Sequence, residues 1–166
     1  MISTFDLTIY YAQIMVYLPT VDRPGLLWTK EHTAQGFAWH PGIVSFGISS
    51  ADRDCLIQVD VASKITVSSE SIWAICVPFE VSSSPIQIGS IFDTHEVDIP
   101  IGKYGLVFEV FPGGSAVYEN LDGEQVPYGH VVSIRFCSDG DHDFRILKMG
   151  GEITTDKILR WDAKQA

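Results

Sequence analysis

The stretch "CSDGDHDF", residues 137–144, places Asp139, Asp141 and Asp143 at every second position, with His142 among them. Carboxylates this close can ligate a hard cation, move protons, or present negative charge to a cationic partner. The cation reading can be measured against a known ligand pattern. The three aspartates fill positions 1, 3 and 5 of a calcium loop, but that loop also needs Gly at position 6 and a bidentate Glu at position 12. Phe144 and Gly150 stand there instead, so no metal site is expected. The plain alternative is a solvated turn. Asp139-Gly140 is a turn dipeptide, and "HVVSIRF" and "FRILKM" on its two sides both read as strands. The three aspartates are therefore expected at the tip of a hairpin.

A second acidic group lies in "PGGSAVYENLDGEQVP", residues 112–127, which carries Glu119, Asp122 and Glu124 and no basic residue. It reads as the longest loop, with a small hairpin turning at Asp122-Gly123. Other chemistries find little support. There is no GxSxG elbow and no HExxH pair. His32, His40, His95, His130 and His142 are scattered, and "PGGSAV" lacks the Lys and the helix of a phosphate loop. Cys55, Cys76 and Cys137 form no CxxC pair, and Cys55 and Cys76 sit in apolar alternating runs as small core residues. No catalytic residue and no cofactor is expected.

The formal net charge is −10, from 21 acidic and 11 basic residues. From Ile65 to Ile134, Lys103 is the one Lys or Arg against nine acids. Such a surface repels DNA and anionic lipid and attracts a basic protein. The opening "MISTFDLTIYYAQIMVYL" has no basic start and holds Asp6 inside its apolar run, so it reads as a strand rather than a signal peptide. No apolar run nears the ~18 residues of a membrane span. A cytoplasmic chain, monomeric when free, is expected.

Period-two patterns must supply the scaffold. "DCLIQVDVA", "WAICVPFEV", "YGLVFEV", "HVVSIRF" and "FRILKM" alternate, and Gly, Pro, Ser and Asp bound them. One stretch reads as helix: "WTKEHTAQGF", with Thr29 as N-cap and Gly36 as stop. Eight to ten strands and one short helix near residues 29–36 make an all-β, antiparallel, single-domain sandwich over residues 1–166. Residues 149–166 read as a C-terminal extension. Trp28, Trp39, Trp73 and Trp161 offer a competing use for such a sandwich, an aromatic platform for carbohydrate; a calcium-binding module is the other alternative.

One run, "WTKEHTAQGFAWHPGIVSFGI", resembles the competence protein J family. Trp28 opens a short helix, Gly36-Phe37-Ala38 ends it, and Gly42-Ile43-Val44-Ser45-Phe46 follows as a strand. "VPFEV" at Val77 to Val81, then "IQIGSI" and "DIPIGKYGL", resemble later family segments in the same order. The resemblance runs from about Trp28 to Pro112. It implies a small non-enzymatic inhibitor of a metal-dependent DNA-entry nuclease, or an immunity partner of a related nuclease toxin. It carries over no binding residue. The charge pattern supplies candidates for the contact with a basic nuclease: Asp139, Asp141 and Asp143, then Glu119, Asp122 and Glu124, with Trp28 and Trp39 as aromatic anchors.

Overall fold

The alternating runs become the strands of two packed sheets in the computed structural model, which describes residues 2–22, 24–49 and 52–166. In chain order the elements are β1 (Ser3–Leu7), β2 (Gln13–Tyr17), α1 (Lys30–Gln35), β3 (Phe37–His40), β4 (Ile43–Gly47), β5 (Cys55–Ala62), β6 (Trp73–Val81), β7 (Ile86–Ser90), β8 (Asp93–Val97), β9 (Gly102–Pro112), β10 (Val117–Glu119), β11 (Gln125–Pro127), β12 (His130–Cys137) and β13 (Arg145–Lys148). Among the described residues, one sheet has the order β1-β5-β12-β9-β6-β13 and the other β3-β4-β2-β7-β8. β10 and β11 pair only with each other.

The inner face of the larger sheet is the alternation made physical. Cys55, Ile57 and Val59, Trp73, Ile75 and Val77, Leu106, Phe108 and Val110, and Val132, Ile134 and Phe136 are all buried. They meet Ile14, Val16, Phe37, Val44, Phe46 and Ile88 of the smaller sheet in one cluster. Phe46 and Phe108 stack across the two layers, with ring centroids 4.1 Å apart. Each such side chain contributes about 1.5–3 kcal/mol by leaving water.

Three expectations about connection need correcting. The sandwich is antiparallel in most of its pairs, but β12 runs parallel to β5, with His130 beside Cys55. β12 enters between β5 and β9, antiparallel to β9 and parallel to β5, so β5 and β9 run in opposite directions on its two sides. Secondly, Asp139-Gly140 is not a hairpin turn. β12 and β13 are separated by β9 and β6, so residues 138–144 cross the end of the sheet instead. Thirdly, the N-terminal run is two strands, broken by a turn at Tyr11 and Ala12.

The helix is as the caps dictate. Thr29 Oγ1 accepts from His32 N at 3.4 Å, and His32 Nδ1 accepts from Thr29 N at 2.9 Å, which satisfies two N-terminal donors reciprocally. Gly36 stops the helix in the left-handed region, at φ 87°.

The chain after β13 is not a loose appendage. Thr154 N donates to Ala34 O at 3.0 Å, Ala163 N to Trp39 O at 2.7 Å, and Leu27 N to Lys164 O at 2.8 Å. His32 Nε2 donates to Asp162 O at 2.8 Å. Residues 149–166 thus form a strap over α1 and the outer edge of β3, with the strap's own Ile153 and Ala163 buried against the body. An exposed sheet edge is a liability that such a cover removes.

Candidate functional site

Register decides which acidic residues can act together. At one end of the larger sheet β1 finishes beside the start of β5, where Leu7 pairs with Cys55. β12 begins and β9 ends at that same end, where His130 pairs with Pro112. The β10–β11 hairpin projects from there. Cys137 and Ala62 mark the opposite end, and residues 138–144 lie there. The two acidic groups therefore sit at opposite ends of the sandwich and cannot form one patch.

Asp139, Asp141 and Asp143 are exposed on the crossing segment. Asp139 N donates to Ser63 O at 2.8 Å and His142 Nε2 to Ser138 O at 3.1 Å, so the backbone holds the segment against the chain after β5. Lys64 and Arg145 line the same depression as Asp139 and Asp141. Those two cations set positive charge beside the carboxylates, whereas the acidic hairpin has no Lys or Arg of its own.

Glu119, Asp122 and Glu124 are exposed on the hairpin. Asn120 forms its turn: the side-chain oxygen accepts from Asp122 N at 3.0 Å and Glu124 N at 2.9 Å. Gly123 supplies the left-handed residue, φ 79°. Leu121 at the tip is fully exposed. Tyr118 anchors the hairpin to the body. Its ring packs on Tyr128 at 4.9 Å, and its hydroxyl accepts from Asp54 N at 2.8 Å.

Below that anchor lies a set of acids that the sequence did not single out. Thr8 Oγ1 donates to Asp54 Oδ1 at 3.0 Å, and Thr8 N donates to Asp93 Oδ2 at 2.9 Å. Tyr128 donates its hydroxyl proton to Asp6 Oδ1. Burial pushes the Asp54 carboxyl up, against the pull of the Thr8 hydrogen bond, and the charges of Asp6 and Asp93 push it further. Burial and the bond to Asp6 likewise push the Tyr128 hydroxyl well above the usual phenol range. These acids come from β1, β8 and the turn before β5. Only tertiary contact assembles them, so no spacing in the sequence could have revealed the group.

The two proposed anchors part company. Trp28 is half-buried against Gly47, and its Nε1 has no partner. It lies on the hairpin's end of the molecule, sharing a groove with Tyr11 and Glu152. Trp39 lies toward the other end. Its Nε1 donates to Pro78 O at 2.8 Å, and its ring is wedged between Phe144 and Trp161. With Trp73 buried in the core, the four tryptophans form no common platform for a sugar.

No group of three or more His, Cys, Asp or Glu among the described residues is placed to hold a metal ion. The thiols are poor nucleophiles: burial pushes Cys55 up to about 12 and Cys76 up to about 11. No helix among the described residues is long and apolar enough to cross a membrane.

A family model described as Competence protein J (ComJ) matches residues 6–145. That is wider than the run whose motifs are legible by eye, and it stops before the strap. No curated protein matches the chain in sequence. Among solved structures, the crystal structure of ComJ from Bacillus subtilis, inhibitor of the DNA-degrading activity of NucA, is similar with a TM-score of 0.62 and 24% identity. The likeness covers 81% of this chain and 95% of that one, and it bears out the sandwich.

Proposed function

The chain belongs to the competence protein J family, and from that premise we propose that it is a protein inhibitor of a DNA-degrading nuclease, with no catalysis of its own. A solved structure of similar fold is that of an inhibitor of the nuclease NucA. The observation that carries the proposal is the β10–β11 hairpin. It projects from the sandwich with Glu119, Asp122 and Glu124 exposed around Leu121, and its sequence holds no Lys or Arg.

The physical logic is mimicry of charge. A nuclease must gather phosphate, so its substrate cleft carries basic residues and often a divalent cation. Carboxylates on a narrow protrusion can occupy the space of phosphates, and complementary fields raise the association rate by 10–10³-fold at low salt. The same net charge keeps the inhibitor off DNA. Of the two acidic groups, the hairpin is the better candidate, because Lys64 and Arg145 temper the aspartates at the far end. The partner is a basic nuclease or a related nuclease toxin, and the free chain is a monomer working in the cytoplasm without a cofactor.

The test is a plasmid-degradation assay with the NucA-like nuclease of the organism that carries this chain. Degradation should stop near one equivalent of inhibitor, and added Mg²⁺ should not restore it. Full degradation at tenfold excess, or rescue by Mg²⁺, would overturn the proposal.

A further inference from the structure

Two adjacent turns beside the acidic hairpin expose large side chains together. Tyr10 and Tyr11 stand on the turn between β1 and β2, and Ile91 and Phe92 on the turn between β7 and β8. Tyr11 is 71% exposed and Phe92 75%, with Ile91 and Tyr10 more than a third exposed. Single exposed apolar residues need no explanation, but a contiguous group of them marks a contact surface.

The group is held in place. Ser90 is fully buried, and its hydroxyl accepts from Tyr10 N at 2.7 Å and donates to Tyr10 O at 2.9 Å. One side chain thereby ties both turns together. The Tyr10 and Phe92 rings meet edge to face at 5.4 Å. A surface fixed before binding loses less freedom on binding.

The first turn also violates its own local chemistry. Tyr10 and Gln13 form a bridge around two residues, Tyr11 at φ 56° and Ala12 at φ 53°. A two-residue turn with both residues left-handed favours Asn-Gly, and here it is Tyr-Ala. Nothing in the core requires a Tyr there, since its ring is in solvent. Strain kept at an exposed aromatic is the mark of a residue retained for contact.

Charge says what the contact is. Thr8, two residues before Tyr10, binds both Asp54 and Asp93, and Asp93 follows Phe92 directly. Asp22 lines the groove beside Tyr11 and Ile91, and Glu152 lines the one between Tyr11 and Trp28. His95 Nε2 stands 3.2 Å from Asp93 Oδ1, and Arg53 adjoins Asp54 in sequence; the acids of the rim still outnumber them. An aromatic centre with an acidic rim suits a basic protein. It does not suit a second copy of this chain, which would set two acidic rims face to face at a net charge of −10 each.

We propose that Tyr10, Tyr11, Ile91 and Phe92 form the apolar anchor on which the basic nuclease seats, next to the β10–β11 hairpin. The inference rests on the nuclease-inhibitor reading. The hairpin acids govern encounter, and the aromatic anchor governs residence.

The experiment measures association and dissociation rates of the intact chain with the host's NucA-like nuclease, at low and moderate salt. Tyr11→Ser with Phe92→Ser should weaken binding by roughly 30-fold or more, the size expected of central aromatic anchors, almost wholly through faster dissociation. Tyr11→Asn with Ala12→Gly suits the turn better than the native pair and so must fold, and it should also speed dissociation. A wild-type chain that binds while both variants bind equally well overturns the anchor and leaves the inhibitor reading standing. A wild-type chain that binds no nuclease overturns both. A dimer in sedimentation that Tyr11→Ser dissolves would assign the surface to self-association and overturn the anchor.

Discussion

The carboxamide of Gln35 grips Arg160 from both of its ends: Nε2 donates to Arg160 O at 2.5 Å, and Oε1 accepts from Arg160 N at 3.0 Å. The same group donates to Phe37 O and accepts from Leu159 N. All four of its hydrogen-bonding positions are used, and the residue is wholly buried. Gln35 is therefore the latch of the C-terminal strap. Gln35→Leu would keep the volume and strand four backbone groups, at a cost of about 2–4 kcal/mol. Urea unfolding should read that loss, and hydrogen exchange should find amides 153–166 opening first. Unchanged stability would mean that the strap is held by its backbone bonds alone.

Neutralising the hairpin, with Glu119→Gln, Asp122→Asn and Glu124→Gln together, should leave thermal stability within about 0.5 kcal/mol, because all three side chains are solvated. Association with the nuclease should slow about tenfold or more at low salt, and the difference should shrink as salt screens it. Asp139→Asn, Asp141→Asn and Asp143→Asn together should change the rate far less, since Lys64 and Arg145 offset those charges at the far end of the molecule. The reverse pattern in stopped-flow measurements would move the contact to the 138–144 segment.

The turn at Tyr11 and Ala12 couples stability to binding with opposite signs. A left-handed residue other than Gly or Asn costs roughly 1–2 kcal/mol. Tyr11→Asn with Ala12→Gly should raise stability by about 1–2 kcal/mol in denaturant melts while binding weakens. Gains in both would show that the Tyr is no anchor.

Burial pushes the His130 imidazole down, and Glu152 opposes that only in part. Its Nδ1 is buried without a partner, and its ring meets Trp73 edge to face at 6.0 Å. Below the unfolded-state value of about 6.5, the unfolded chain takes up a proton that folded His130 resists. This residue's share of stability is thus present above pH 6.5 and falls as pH drops toward the lower folded value. His130→Gln should flatten the fall in melting temperature between pH 7.5 and pH 5.5. An identical slope in the variant would remove His130 from the account.

The sequence revealed elements better than neighbours. Cys55, Ile57 and Val59 alternate because one face of β5 packs on the core and the other does not, and that contrast is written into the residue types. In β2, Ile14, Met15 and Val16 are all buried. Residues near Leu26 cover the outer face there, so alternation fades. Asp122-Gly123 told its turn truly, because Gly was needed for φ 79°. Asp139-Gly140 looked the same and joined no hairpin, since the identity of a strand's partner depends on residues far along the chain. Tyr11-Ala12 is a turn without turn residues, and it hid for that reason. The group of Asp6, Asp54 and Asp93 and the latch at Gln35 are tertiary, with no periodicity to betray them. Of the candidate anchors, Trp39 proved to be wedged in packing, while the exposed Phe92 drew no notice because it lay in an unremarkable turn.

The place of β12 between β5 and β9 has a bearing on synthesis. A ribosome delivers β5 some 75 residues, and β9 some 25 residues, ahead of the end of β12, and until then the apolar strands β5 and β9 each lack the neighbour that completes them. Native pairing of β5 with β12 joins residues some 75 positions apart, so this sheet closes only when most of the chain has emerged. A nascent chain of this design therefore carries open strand edges while some 75 further residues are added. Its yield in the cell should depend on chaperones that shield such edges more than on the stability of the finished molecule.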